Sequence, residues 1–328
     1  MSMLSRRALT LAALSLAYLV QAAILPTAFA ADPYPTKSVR IIVGFSPGGG
    51  TDLIARLIAT KLSERLKTAF PVENRVGASG NIAGQQVAVA KPDGYTLLWV
   101  PIAHAVNAAI GKNLAYDPIG DFAPVTLVSS NPTLLNVHPS VPASNVRELI
   151  ALAKAQPGKI SFAGSGIGTS SHIAAELFRL LAGVDLLHIP YKGGSDATRA
   201  VVSGEAFLSF NDIQASIPLV RARYLKAIAI TSRNRSKILP DVPTIAESGV
   251  PGYEYAVWFG LLAPKKTPPD IVNKLRNEIV GALNLPDVVQ RFEAGGGEVV
   301  GNTPEEFGRF LNAEVEKWRK VMKAAGIQ

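Results

Sequence analysis

Val39-Arg40-Ile41-Ile42-Val43-Gly44-Phe45-Ser46-Pro47-Gly48-Gly49-Gly50-Thr51-Asp52 decides the fold. Val39 to Phe45 is an apolar, β-branched run and reads as a strand. The proline and the three glycines end it, and Asp52 to Leu66 continues as a helix with Leu53, Leu57 and Leu62 near one face. A strand, a glycine loop and a helix in that order leave unpaired backbone N–H groups at the positive end of the helix. Such a turn is a potential anion site. Glycine lets a ligand approach the backbone closely, and Ser46 and Thr51 add hydroxyl donors.

The device occurs a second time. Ile160 to Ala163 reads as a strand, Gly164-Ser165-Gly166-Ile167-Gly168-Thr169-Ser170-Ser171 as a loop, and His172 to Leu181 as a helix. A single glycine-rich turn is as readily a plain βα connection. Two of them in separate halves, both rich in Ser and Thr, point to a cleft that holds a small anion between two helix ends.

Working outward, apolar β-branched runs alternate with helical patterns to the end of the chain, the signature of an α/β protein. Further strands are expected at Thr96–Val100, Pro124–Val128, Leu134–Val137, Leu187–Ile189, Phe207–Phe210 and Ala227–Ile230, with a helix at Ser195–Val202. Ser144 is the expected N-cap of a helix to Ala155, stopped by Gln156-Pro157-Gly158. Beyond Pro251-Gly252, Tyr255 to Leu262 reads as a strand returning toward the first half. Thr267-Pro268-Pro269-Asp270 and Thr303-Pro304-Glu305-Glu306 each place a hydroxyl at an N-cap, a proline at the first helical position and an acid at the third. Leu311, Val315, Trp318 and Met322 make one apolar stripe along the last helix, which reads as core packing.

Spelling excludes several chemistries at the loops. A P-loop needs G-x-x-x-x-G-K-[ST], and neither loop has the lysine. A dinucleotide fingerprint needs G-x-G-x-x-G, and Gly164-Ser165-Gly166-Ile167-Gly168 closes one residue early. A hydrolase elbow needs G-x-S-x-G, whereas Ser165 stands between Gly164 and Gly166 with Ala163 and Ile167 outside them. Together these misses favour binding without chemistry.

Composition narrows the field further. The 328 residues are 48% hydrophobic and 18% charged, the profile of a globular chain of about two units. With no cysteine, thiolate catalysis, Cys-ligated zinc, iron–sulfur clusters and disulfides are excluded. A net charge of +8 raises the question of nucleic acid. Its densest clusters, Arg221/Arg223, Arg233/Arg235/Lys237 and Lys317/Arg319/Lys320, have no interleaved aromatics and read as solvated surface. His172 and Glu176 are spaced i, i+4 without a third ligand in reach, so an ion pair or a helix-start histidine is expected instead of a metal site. His138 and His188 read as structural. Asp52 is expected to accept from N–H groups of its loop and hold the loop's shape.

Residues 1–30 have the order of an export signal: Arg6-Arg7, an uncharged run from Ala8 to Leu25, and Ala28-Phe29-Ala30 as a small-x-small cleavage site before Ala31. The paired arginines fit a twin-arginine signal as well as a general one. The expected product is exported and cleaved.

At the loops the sequence resembles the receptor component of tripartite tricarboxylate transporters, the Bug-type periplasmic binding proteins. The resemblance rests on an ordered set that runs along the chain: Tyr34-Pro35, Phe45-Ser46-Pro47-Gly48-Gly49-Gly50-Thr51-Asp52, Glu73-Asn74-Arg75, Gly77-Ala78-Ser79-Gly80-Asn81 and Pro92-Asp93-Gly94-Tyr95. It continues through Tyr116-Asp117-Pro118, Gly164-Ser165-Gly166-Ile167-Gly168-Thr169 with His172, His188-Ile189-Pro190-Tyr191-Lys192-Gly193, Asp241-Val242-Pro243-Thr244 and Trp258-Phe259-Gly260.

This resemblance implies a two-lobed clamshell α/β fold of the type II periplasmic-binding-protein kind, each lobe a mixed sheet flanked by helices. Residues 31–131 with 253–328 would form one lobe and 132–252 the other. It implies a periplasmic receptor, monomeric, without cofactor, metal or nucleic acid, that hands a small organic carboxylate to membrane permease subunits or to a sensor. The implied ligand residues are Phe45, Ser46, Pro47, Gly49 and Thr51 with Asp52 behind them, and Ser165, Gly166, Gly168, Thr169 and Ser170 across the cleft. Ala78, Asn81, His104, Tyr191 and Asp212 form a second rank. The chain departs from the family at Gly204-Glu205-Ala206-Phe207, where Gly-x-Val-Asp is usual, and at Arg223-Tyr224. Dicarboxylates, tricarboxylates, acidic amino acids, nicotinate-like acids and aromatic carboxylates therefore all remain open. The competing reading is an envelope hydrolase that uses Ser165 or Ser170 with His172 on an acidic substrate, without an evident orienting acid.

Overall fold

The computed structural model describes residues 34–111, 114–164, 169–191, 193–324 and 326. The expected leader lies outside them, as do loop residues Ser165, Gly166 and Gly168. Both sheets belong to the body Lys37–Gln328.

The first sheet begins with β1 (Arg40–Val43), β2 (Val72–Asn74) and β3 (Thr96–Pro101), all parallel. Between them run α1 (Gly50–Leu66), α2 (Asn81–Ala88) and, after β3, α3 (Ala103–Ile110). β4 (Phe122–Asn131) then leads out of this sheet to β5 (Thr133–Val137), with only Pro132 between them. The second sheet is built from β5, β6 (Ser161–Gly164), β7 (Leu187–Pro190), β8 (Leu208–Asp212) and β9 (Lys226–Ile230) in the order β7-β6-β8-β5-β9. Helices α4 (Val146–Ala155), α5 (Ser170–Ala182), α6 (Gly194–Val202) and α7 (Ile213–Arg221) connect its strands.

The chain returns through Tyr253 to Ala256 into β10 (Val257–Pro264), which is antiparallel to both β3 and β4. Helices α8 (Pro269–Leu283) and α9 (Pro286–Ala294), the short β11 (Glu298–Val299) and α10 (Pro304–Ala324) complete the body. The first sheet thus reads β11-β4-β10-β3-β1-β2. Both sheets are mixed and flanked by helices, as expected.

The crossings are tied to each other. The Thr231 N–H donates to the Thr133 carbonyl at 3.0 Å, and the Tyr255 N–H donates to the Thr231 carbonyl at 2.9 Å. Asn131 Nδ2 donates to the Val257 carbonyl at 3.1 Å. From α10, Phe307, Leu311, Val315, Trp318 and Met322 are all buried, which matches the expected stripe. The indoles of Trp258 and Trp318 both donate to Glu314 Oε2, and Lys317 pairs with the same carboxylate. A buried carboxylate is tolerated only when its oxygens are satisfied and its charge is countered, and here both conditions are met.

Several local expectations are corrected. Leu53 is 46% exposed, and the buried face of α1 is Asp52, Ala55, Ile58, Ala59 and Leu62. The N-cap of α4 is Asn145, whose side chain accepts from the Glu148 N–H; Ser144 stands one residue outside, its N–H given to the Glu148 carboxylate. The Thr267 hydroxyl donates to the Pro264 carbonyl, so α8 starts at Pro269 without a hydroxyl cap. At Thr303 the expected reciprocal cap is present: its hydroxyl accepts from the Glu306 N–H, and Glu306 accepts from the Thr303 N–H.

Candidate functional site

Both glycine loops connect a strand to the N-terminus of a helix. Gly49 precedes α1 with φ −75° and ψ 164°, and Thr169 precedes α5 with φ −77° and ψ 166°. Neither N-cap residue uses a side chain to cap its helix. The first-turn N–H groups of such helices have no partner within the helix and lie at its positive end.

The first loop is exposed from Ser46 to Gly49, with Phe45 half-buried at its root and Thr51 half-buried at the start of α1. Asp52 braces it from behind. Asp52 is 1% exposed; its Oδ2 accepts from the Gly48 N–H and from Arg56 Nε, each at 2.9 Å, and its Oδ1 accepts from Asn74 Nδ2 at 2.8 Å. Asn74 Nδ2 also donates to the Phe45 carbonyl at 2.9 Å. Burial alone would raise the Asp52 carboxyl, but donors from Arg56, Gly48 and Asn74 outweigh it and bring it down to about 2.

A strained segment lies against this loop. Gly77, Ala78, Ser79 and Gly80 all have positive φ, with Ala78 at 46° and Ser79 at 55°. Non-glycine residues occupy that region at a cost, and they persist where surrounding contacts impose it. The contacts are visible: Asn107 Nδ2 donates to the Ser79 carbonyl at 2.9 Å and to Asn81 Oδ1 at 3.1 Å, and the Tyr116 hydroxyl donates to Asn81 Oδ1 at 3.1 Å. Gly44 and Gly80 approach so closely that a Cβ built on Gly44 would lie 2.5 Å from the Gly80 Cα. Gly44, Phe45, Ser79, Gly80, His104 and Asn107 line one small crevice.

His104 forms the back of that crevice. It is 6% exposed, and its Nε2 lies 2.7 Å from the Pro118 carbonyl, so this nitrogen carries a proton. Burial pulls its pKa down to about 4, against the carbonyl's upward pull. At neutral pH it is an uncharged support.

The second loop is backed by rings. Gly164, the last residue of β6, leaves room for His188: a Cβ there would lie 2.6 Å from His188 Nε2. The His188 ring stacks on Phe162 with centroids 4.7 Å apart and meets His172 at 4.5 Å. His172 Nε2 faces Glu176 Oε1 at 3.6 Å, and Glu176 is held by Arg179. Burial lowers the pKa of both histidines. The spacing that suggested an ion pair in the sequence therefore does place His172 beside Glu176.

Of the expected second-lobe residues, Thr169 and Ser170 stand half-buried at the start of α5, and the Tyr191 N–H donates to the Gly164 carbonyl at 2.8 Å. Asp212 ends β8 at the start of α7. Its carboxylate touches solvent yet is crowded by protein, and the lost hydration raises its pKa. Tyr255, a fully buried residue of the return crossing, has the Ser170 side chain near its hydroxyl and feels the Asp212 charge. The Tyr255 hydroxyl sits beside Ser170 without a hydrogen bond of good geometry, and burial raises its pKa.

Asn74, Asn107, Tyr116 and Tyr255 were not named as site residues from the sequence. Asn74 and Tyr116 stand inside quoted motifs, so their signal is present in the sequence. Asn107 and Tyr255 depend on contacts 26 to 28 residues away or on a crossing between sheets, which a linear reading does not display. Among the described residues no helix is long and apolar enough to cross a membrane.

Comparison with known proteins bears on the family and the fold. Residues 54–327 match the family model described as "Tripartite tricarboxylate transporter family receptor". Protein BugT of Bordetella pertussis is 35% identical over 302 residues, covering 91% of this chain and 92% of that protein. A Pseudomonas sp. (strain P51) protein, named for the tcbD-tcbE intergenic region, is 36% identical over 292 residues, 89% of this chain and 87% of its own length. Among solved structures, R. palustris Rpa4515 with adipate superposes with a TM-score of 0.75 at 38% identity, covering 89% of this chain and 98% of that one. MatC (Rpa3494) from Rhodopseudomonas palustris with bound malate gives 0.72 at 32% identity, over 88% and 99% of the two chains. The periplasmic binding protein BugD gives 0.72 at 35%, over 90% and 99%.

Proposed function

This chain belongs to the tripartite tricarboxylate transporter receptor family, and on that premise we propose that it is an extracytoplasmic receptor that grips a small carboxylate between its two glycine loops. One observation carries the reading. Two helices, one on each sheet, are approached through the same extended backbone at Gly49 and Thr169, with no side-chain cap at either. A carboxylate is the natural partner for such helix ends, because their N–H groups need acceptors and the dipole favours negative charge. Phe45, Ser46, Pro47, Gly49, Thr51, Ala78 and Asn81 would meet it from the first sheet, and Ser165, Gly166, Gly168, Thr169, Ser170, Tyr191 and Asp212 from the second. Asp52 and His104 hold the first side in shape.

The family is one of solute receptors, not of enzymes, and the hydrolase alternative finds no support in it. The proposed lobes, 31–131 with 253–328 and 132–252, are supported by sheet membership, since every strand from β5 to β9 lies in the second sheet. Shutting the lobes on a ligand would present a changed surface to permease subunits or a sensor, and the monomer suffices for that. The leader would be removed before Ala31, which N-terminal sequencing of envelope material checks; retention of Met1 would contradict it.

Native mass spectrometry of the purified protein before and after mild denaturation tests the function. Release of a bound small acid, or binding of added adipate or malate without turnover, is expected. Hydrolysis of an acidic substrate would overturn the reading.

A further inference from the structure

Two tyrosines of the return crossing reach α5 one turn apart. Tyr253 and Tyr255 are both buried, and the Tyr253 hydroxyl donates to the Ala174 carbonyl at 3.0 Å. Four residues earlier on that helix, and so on the same face, stands Ser170. The Tyr255 hydroxyl lies beside the Ser170 side chain, and there it makes no hydrogen bond of good geometry. The first tyrosine ties the helix to the crossing. The second ends in a buried O–H that nothing receives, an unfavourable state for a polar group.

The ring is held on both sides. The Tyr255 N–H donates to the Thr231 carbonyl at 2.9 Å, and the ring meets the Trp318 indole of α10 edge-on, centroids 6.0 Å apart. Trp318 is fixed in turn by its indole N–H on Glu314 at 2.9 Å. Burial raises the phenol's pKa against the downward pull of Ser170, and the charges of Glu314 and Asp212 add to the rise. The hydroxyl is therefore a standing donor with one side chain in front of it.

That side chain opens α5 and is half-buried, at the helix end that favours an anion. A serine hydroxyl both accepts and donates. Once Ser170 Oγ accepts from a phenol, its own proton is left for a neighbour. We propose that Tyr255 is a positioning residue for the ligand: its O–H donates to Ser170 Oγ when a carboxylate arrives, and the Ser170 proton turns to the carboxylate. Without an acceptor at the helix end nothing orients the serine, and the pair stays open. With one, the two hydrogen bonds form as a chain and strengthen each other. The inference rests on the reading that the α5 end receives a carboxylate, and adds to it a residue that no ligand atom touches.

Tyr255→Phe removes the hydroxyl and keeps the ring. Ligand-free melting should be unchanged or raised, because the hydroxyl has no partner to lose. Affinity should fall about fivefold in calorimetric titration with adipate, with malate, or with the acid released from the purified protein. Ser170→Ala should cost about tenfold, and Tyr255→Phe added to it should cost nothing more, since the relay is already cut. Tyr253→Phe is the contrasting control: it breaks a bond that exists without ligand, so it should lower the melting temperature and leave affinity near the parent's. Parent-like affinity in Tyr255→Phe overturns the relay. So do losses that add in the double variant, or a fall in ligand-free melting as large as that of Tyr253→Phe. A parent protein that releases no acid and takes up neither adipate nor malate overturns the carboxylate reading itself, and this inference with it.

Discussion

The two helices that follow the glycine loops are entered through the same extended backbone, at Gly49 and at Thr169, and the two turns differ in what stands behind them. Gly44 and Gly164 occupy equivalent places at the ends of β1 and β6, and each is a glycine because something presses close. Behind the first it is the Gly80 backbone; behind the second it is the His188 ring. The first loop is braced by an ionised carboxylate with three donors, the second by stacked rings and a hydrogen bond from Tyr191. The two strand-to-helix turns are therefore supported once through charge-assisted hydrogen bonds and once through packing, and the two should fail under different insults.

The largest effect should come from the glycines. Gly44→Val sets a side chain against backbone that has no rotamer to change, and should cost about 3 kcal/mol or more in denaturant unfolding. Gly164→Ala should cost less, and His188→Ala in the same protein should restore part of the loss. Rescue of Gly44→Val by trimming any neighbouring side chain would break the comparison.

Acid should separate the two sides next. His104 is held neutral in the fold down to about 4, while the unfolded chain takes up that proton near 6.5. Its contribution is thus present above pH 6.5 and lost as pH falls toward 4, roughly 3 kcal/mol in all. His172 and His188, with lowered values, add loss in the same direction below 6.5. Asp52, lowered to about 2, keeps its contribution until pH drops below the ordinary carboxylate range and loses it on the way to 2. Stability curves of His172→Asn/His188→Asn and of Asp52→Asn should therefore begin to differ from the parent at separate points, the first pair as pH falls below about 6.5 and the second only as it falls through about 4 toward 2. Coincident onsets would mean that the loops share one support.

Asp52→Ala at neutral pH takes one of its two acceptors from Asn74 Nδ2 and leaves the Gly48 N–H and Arg56 Nε without theirs, and should cost about 2 kcal/mol. Asp52→Asn should recover only part of it, since the charge that pairs with Arg56 is gone. The smallest effect is on ligand affinity. Thr169→Ala should weaken a carboxylate about tenfold in calorimetric titration, one charge-assisted hydrogen bond. His172→Ala, in the buried face of α5, should change affinity little.

Where pattern and local chemistry coincide, the chain is legible from its sequence. The strand-loop-helix at 39–66, the reciprocal cap at Thr303 and the apolar stripe from Leu311 to Met322 are all periodic or local, and the structure has them in place. Failures follow competition at short range. Ser144 lost the cap to Asn145 because Glu148 answers both, and Thr267 turned its hydroxyl back to Pro264. Leu53 looked like a core residue on spacing alone, but the loop brace needs Asp52 on the inner face, and that turns Leu53 outward. Short elements such as β2, β11, α2 and α9 carry too few residues to show a period. The site's braces, Asn107 on Ser79 and Tyr255 beside Ser170, come from distant segments and leave no local trace.

One further consequence follows from β10 lying between β3 and β4. The strands of the first sheet made earliest have no central partner until residue 264 has been synthesised, whereas the second sheet has its last strand by residue 230 and the segment paired with that strand's edge, at Pro243 to Ile245, soon after. During vectorial synthesis the sheet begun first is therefore finished last, and the second sheet's strands form the first foldable unit. Protease challenge of chains arrested beyond residue 250 but short of residue 264 should find 133–230 protected and 40–131 cut. In this molecule the order of manufacture and the order of assembly run in opposite directions.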